Sequence, residues 1–138
     1  MRAKLFQTLS LVPMMVLVGI PLATAFQSSL PRGVYDGGYM CAQGATRLRL
    51  VANRRTARFE FGGNEGLPTG AYTVEVRTER DGTIVLTPQA WLSRPSGYVM
   101  VGARLRREGD ALIGTITNPN CGEISLFPRG ARPAGQAE

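Results

Sequence analysis

The chain contains no histidine, and its one lysine is Lys4. Without imidazole there is no Ser-His-Asp or Cys-His catalysis, no His-ligated metal, and no general base of the usual kind at neutral pH. Without a lysine amine beyond the N-terminus, Ser-Lys dyads and Schiff bases are excluded as well. The two cysteines, Cys41 and Cys121, are too few to build a four-ligand structural zinc site with no histidine to help. Neither a phosphate-binding G-x-x-x-x-G-K-[ST] nor a strand-to-helix G-x-G-x-x-G occurs. No cofactor and no metal is therefore expected.

Paired carboxylates are the one catalytic class that survives. Glu60 and Glu75 fall on neighbouring predicted strands, as two carboxyls of a glycoside hydrolase would. Each alternates with an arginine, Arg58 beside Glu60 and Arg77 beside Glu75, on the outward face. Cross-strand ion pairing on a solvated surface is the stronger reading, and the chain is read as a non-enzyme.

What is present begins with a targeting pattern. Arg2 and Lys4 precede an apolar run from Leu5 to Ala23, broken by Pro13 and Pro21. Ala23-Thr24-Ala25 then offers small residues at the two positions a signal peptidase reads, so cleavage after Ala25 is expected. The unbroken apolar stretches are shorter than the ~20 residues a membrane span requires, so no stable span remains after cleavage. No cysteine follows for lipid attachment, and no twin arginine precedes the run. The expected organisation is a signal peptide over residues 1–25, a flexible leader over 26–32, one β-domain over 33–127 and a Pro/Gly/Ala-rich disordered tail over 128–138. In an oxidising compartment Cys41 and Cys121 are expected to pair. Closing a loop of about 80 residues is worth ~4–5 kcal/mol in the chain-entropy account. Residues 26–138 hold 14 arginines against 10 acidic residues, a net charge of +4. No basic block is interleaved with aromatics, so nucleic acid is not an expected partner.

From Gly33 to Phe127 the apolar residues alternate at period two. Strands are read at Gly33–Ala42, Thr46–Ala52, Arg58–Phe61, Ala71–Thr78, Thr83–Thr87, Tyr98–Arg106, Ala111–Thr117 and Cys121–Phe127. Asp81-Gly82 marks a hairpin. The Gly/Pro-rich stretch 62–70 is read as a loop, and so is Gln89–Gly97. The fold class is all-β: a single antiparallel eight-stranded small barrel or sandwich closed by one disulfide. Cys121 shares parity with Glu123 and Ser125 rather than with the core residues Ile124 and Leu126. Either Gly122 hosts a bulge or the disulfide lies outside, and the bulge is preferred.

The binding candidates are Trp91, Arg94 and Tyr98, an indole, a guanidinium and a phenol between prolines, the residue types that dominate interface energetics. The alternative use of a lone tryptophan is to plug one end of the barrel. Arg54 and Arg55 at a hairpin tip read as a solvated turn.

Gly38-Tyr39-Met40-Cys41-Ala42-Gln43-Gly44, then Leu48 and Leu50, Trp91 with Pro95-Ser96-Gly97-Tyr98, and Gly114 with Cys121, together resemble small exported proteobacterial β-domains for which no activity is implied. More distantly, Tyr39-Met40-Cys41 at the start of a small disulfide-linked β-domain is similar to the periplasmic lysozyme inhibitors of the membrane-bound C-type class. That resemblance implies a protein partner and inhibition of a cell-wall hydrolase. It departs at the site, because the serine- and lysine-bearing loops of those inhibitors have no counterpart here. The reading is a secreted or periplasmic, non-catalytic binding module for an envelope protein. A glycan- or peptidoglycan-binding domain and a structural envelope protein are the alternatives.

Overall fold

The structure, a computed structural model, describes residue 19 and residues 30–130. The expected signal peptide and most of the tail lie outside the described residues. Eight strands follow in order: β1 Leu30–Cys41, β2 Gly44–Arg54, β3 Thr56–Phe61, β4 Gly70–Thr78, β5 Ile84–Ser93, β6 Ala103–Glu108, β7 Ala111–Ile116 and β8 Glu123–Pro128. Each pairs antiparallel with the next, and β8 returns to β1, so the sheet closes into a barrel. Of the two architectures open at the sequence level, the barrel is therefore the one adopted. Among the described residues no helix is long and apolar enough to cross a membrane.

Alternation along the strands sorts the side chains. Leu48 and Leu50 on β2, Phe59 and Phe61 on β3, and Tyr72, Val74 and Val76 on β4 point into the barrel and are buried. The residues between them, such as Arg49, Arg58 and Glu75, face outward. This is the reverse of a lipid-facing barrel, whose outward band is apolar. Arg58–Glu60 forms an ion pair at 3.4 Å, but within one strand rather than across two. Glu75 stands opposite Thr56 and Glu60 opposite Ala71. Four residues of strand therefore separate the two carboxylates, about 13 Å at the usual rise. That exceeds the spacing of either glycosidase geometry.

Because the strands run alternately up and down, the turns gather at two ends. One end holds the connections 42–43, 62–69, 94–102 and 117–122, and the Cys41–Cys121 disulfide. The other holds residue 55 and the short turns 79–83 and 109–110. The expected Asp-Gly hairpin is among these: Asp81 Oδ1 accepts from the Thr83 amide at 2.9 Å and Gly82 has φ 89°.

Four differences from the sequence reading bear on the site. First, β1 begins at Leu30, inside the expected leader, because Leu30 is completely buried opposite Arg54 and caps the barrel interior. A lone leucine in a polar stretch carries no period to announce this. Second, β5 continues through Pro88 to Ser93 where a loop was expected. Its ladder to β6 ends at the Leu86–Ala103 pair, so beyond that point a proline removes no bond from that side. Third, Tyr98–Gly102 is not strand, although Val99 and Val101 alternate correctly; only Ala103–Glu108 joins the sheet. A Cβ on Gly102 would sit 2.6 Å from the Leu86 carbonyl oxygen, so the chain passes there against bare backbone. Fourth, β8 begins at Glu123, so Cys121 precedes it. The parity conflict disappears because the pleat no longer dictates where Cys121 points, and neither a bulge nor an outward disulfide is required. Gly122 still ties the connection to β1, donating to the Met40 carbonyl at 2.8 Å.

Candidate functional site

The disulfide end of the barrel is built on an aromatic ladder. Tyr39 packs on Phe59 at 5.6 Å, Phe59 stacks on Tyr72 at 4.7 Å, and Phe61 meets Tyr98 nearly parallel at 5.5 Å. Strand alternation places the first four rings inside, and the 94–102 segment supplies Tyr98. The segment runs across the mouth. Pro95 abuts Gly70 at the start of β4, where a Cβ would fall 2.7 Å from its ring. The chain then returns over Tyr98 to Val101 and Gly102.

Tyr72 holds this crossing in place. Its hydroxyl donates to the Val101 carbonyl at 2.7 Å and accepts from the Val101 amide at 3.0 Å. One phenol thus satisfies both backbone groups that a strand neighbour would otherwise satisfy. Burial pushes the Tyr72 phenol well above its ordinary value, the hydrogen bond opposing. Burial also raises that of Tyr39, with the nearby Tyr98 phenol adding to it. Both remain neutral donors at any physiological pH. The Gly102 carbonyl accepts from Thr117 at 2.9 Å, fastening the far end of the crossing to the connection after β7.

The three candidate residues converge here. Trp91 lies opposite Tyr72 in the β4–β5 register and so turns to the same, inner side. Its ring meets Tyr72 edge-on at 5.2 Å and Phe61 at 6.2 Å. Arg94 lies over the indole at 5.6 Å, and its Nε donates to the Tyr98 carbonyl at 3.2 Å. Trp91 is thus half-buried, packed on the core beneath a guanidinium: a plug with an arginine cover.

Behind this rim lies a cavity of about 340 Å³. Tyr39, Phe61, Tyr72 and Val101 form its depth, and the disulfide and Tyr98 form its sides. Three carboxamides border it: Gln43 from the β1–β2 turn and Asn118 and Asn120 from the β7–β8 connection. The sequence did not single these out, since an Asn-Pro-Asn turn reads only as a turn. A wider groove of about 760 Å³ crosses the outside of β8, β1 and β2 and is bordered by Arg47, Glu65 and Glu123, so charge separates the two hollows. Among the described residues no group of three or more His, Cys, Asp or Glu side chains is placed to hold a metal.

No protein-family model matches the chain, and no curated protein or solved structure was found similar to it.

Proposed function

We propose that the protein is an exported, non-catalytic binding module that meets a protein partner with the disulfide end of its barrel. The observation that carries this reading is the Arg94 guanidinium over Trp91. It occupies the ring face that a sugar would need for stacking, and leaves a charged, planar group outward beside apolar surface. Two exposed apolar side chains flank Arg94 in the chain: Leu92 near the end of β5, 58% exposed, and Val99 in the 94–102 connection, 63% exposed. Apolar residues around a rigidly seated arginine and aromatic are the composition of an interface centre. Export is supported by the N-terminal apolar run with its Ala-x-Ala and by the single disulfide. A cell-wall hydrolase is the partner class to test first. Its substrate cleft carries acidic groups complementary to Arg94, and inhibition is what the Tyr-x-Cys resemblance implies.

The test is to add the purified exported chain to a C-type lysozyme and follow both complex formation and lysis of a cell-wall suspension. The expected result is a complex, with slowed lysis, that Leu92→Asp or Val99→Asp weakens at least tenfold without lowering the melting temperature. Direct binding of soluble wall fragments, competing with nothing proteinaceous, would instead favour a glycan-binding domain. Lysis and binding unchanged across a panel of lytic enzymes would remove the hydrolase from the proposal.

A further inference from the structure

We infer that the cavity at the disulfide end accepts one uncharged aromatic side chain together with its flanking peptide group. The inference rests on the protein-partner reading and names the part of the partner that enters.

Charge makes the first selection. Nearly a fifth of the chain is charged, yet every side chain lining the cavity among the described residues is neutral. A lysine, arginine or carboxylate entering would lose its hydration with nothing to pair against. Shape and surface make the second. The depth is ring and methyl surface from Tyr39, Phe61, Tyr72 and Val101, which favours edge or offset contact with another ring. At about 340 Å³ the cavity lies at the lower bound of small-molecule pockets, suited to one large side chain rather than an extended ligand. The rim makes the third. Gln43 Nε2 donates to Thr46 Oγ1 at 3.1 Å, leaving Oε1 as an acceptor. Asn118 Oδ1 accepts from the Asn120 amide at 2.9 Å, leaving Nδ2 as a donor. A neutral acceptor and a neutral donor at one rim match the N–H and C=O of a peptide unit.

The walls are also fixed in advance. The disulfide seats one side, and the two hydrogen bonds between Tyr72 and Val101 seat the other. Little ordering entropy remains to be lost when the cavity is filled.

Three probes decide it by amide chemical-shift titration of the exported chain: N-acetyl-tryptophanamide, N-acetyl-lysinamide and N-acetylglucosamine. N-acetyl-tryptophanamide is expected to give saturable shifts at Gln43, Val99, Val101 and Asn118. Ala42→Trp fills the mouth from a turn position of ordinary backbone geometry and should weaken the titration at least tenfold. Asn118→Asp keeps an acceptor for the Asn120 amide but replaces the Nδ2 donor, and should weaken it at least threefold with an unchanged melt. Equal binding of the lysinamide, preferential binding of N-acetylglucosamine, or an unaffected Ala42→Trp titration would each overturn the inference. Its failure is separable from failure of the interface. If Leu92→Asp abolishes partner binding and Ala42→Trp does not, the surface stands and the cavity inference falls. If the capped tryptophan binds as described and no protein partner is found, the cavity stands and the interface falls.

Discussion

The two ends of the barrel are closed by different means. At the end where β2 meets β3, β4 meets β5 and β6 meets β7, the turns are short and the surface is arginine-rich, with Arg54, Arg55, Arg80 and Arg107 exposed. Leu30, Ala52 and Ala57 fill the interior there, and backbone bonds such as the Val76 amide to the Arg55 carbonyl, 2.8 Å, complete the closure. At the disulfide end three of the four connections run to six residues or more, and side chains do the closing: a disulfide, a phenol and an indole. Closure by side chains leaves a cavity at the disulfide end, and the sequence can set its chemistry. The difference teaches where variation in such a barrel can carry specificity.

Removing the staple should have the largest effect on this contrast. Cys41→Ser is expected to lower stability by about 4 kcal/mol in non-reducing denaturant unfolding, since it frees an 80-residue loop. A loss below about 1 kcal/mol would mean that the disulfide end is held by its aromatics alone. Trp91→Ala comes next, at about 2–3 kcal/mol, less than a fully buried aromatic because the ring is only half-buried. An unchanged melt would show that the indole is all surface and no plug.

Tyr72→Phe keeps the ring and removes one oxygen. It should cost about 1–3 kcal/mol, because the Val101 amide and carbonyl lose their partner together. Hydrogen exchange at Val101 should quicken while exchange in β2 and β3 keeps the order of the global unfolding reaction. Uniform acceleration would contradict a role confined to the mouth.

The smallest effect concerns Asp36, which bridges Arg49 on β2 and Arg129 after β8, at 3.0 and 3.1 Å. Partial burial pushes its carboxyl up, but the hydrogen bonds and charges of Arg49 and Arg129 outweigh this and hold it below the ordinary 3.8. A depressed folded-state value means the contribution is present above the unfolded value and is lost as pH falls through the folded one. With both partners about half exposed, Asp36→Asn should cost at most about 1 kcal/mol at neutral pH. The variant should lose part of the stability slope below pH ~4. An identical acid slope in both proteins would remove Asp36 from the account.

Much of this was legible in the sequence, and the exceptions are instructive. Alternation from Leu48 to Leu126 placed eight strands, and Asp81-Gly82 placed its hairpin, because local pattern and local geometry agree there. The disulfide followed from two cysteines and the expectation of an oxidising compartment. The crossing of the mouth did not follow. Val99 and Val101 carry strand alternation, yet the backbone partner of Val101 is a phenol 29 residues earlier, which no local pattern encodes. Pro88 misled for the opposite reason: it stops a strand only where both edges are paired. Trp91, Arg94 and Tyr98 were recognisable by type, and their convergence was not, since it depends on the strand that Pro88 concealed. The bordering carboxamides of Gln43, Asn118 and Asn120 sit in turns, where asparagine ordinarily serves the backbone.

The closure of β8 onto β1 also decides how the molecule faces its surroundings. Leu30 and Gly130, the first and last residues of the described domain, both leave from the arginine end, where the Arg129 amide is tied to the Val34 carbonyl at 2.8 Å. A carrier, tag or neighbouring domain joined directly at Leu30 or Gly130 therefore starts from the end opposite the disulfide mouth. Display from a surface by either end would leave the mouth facing outward, with no change of orientation between the two constructions.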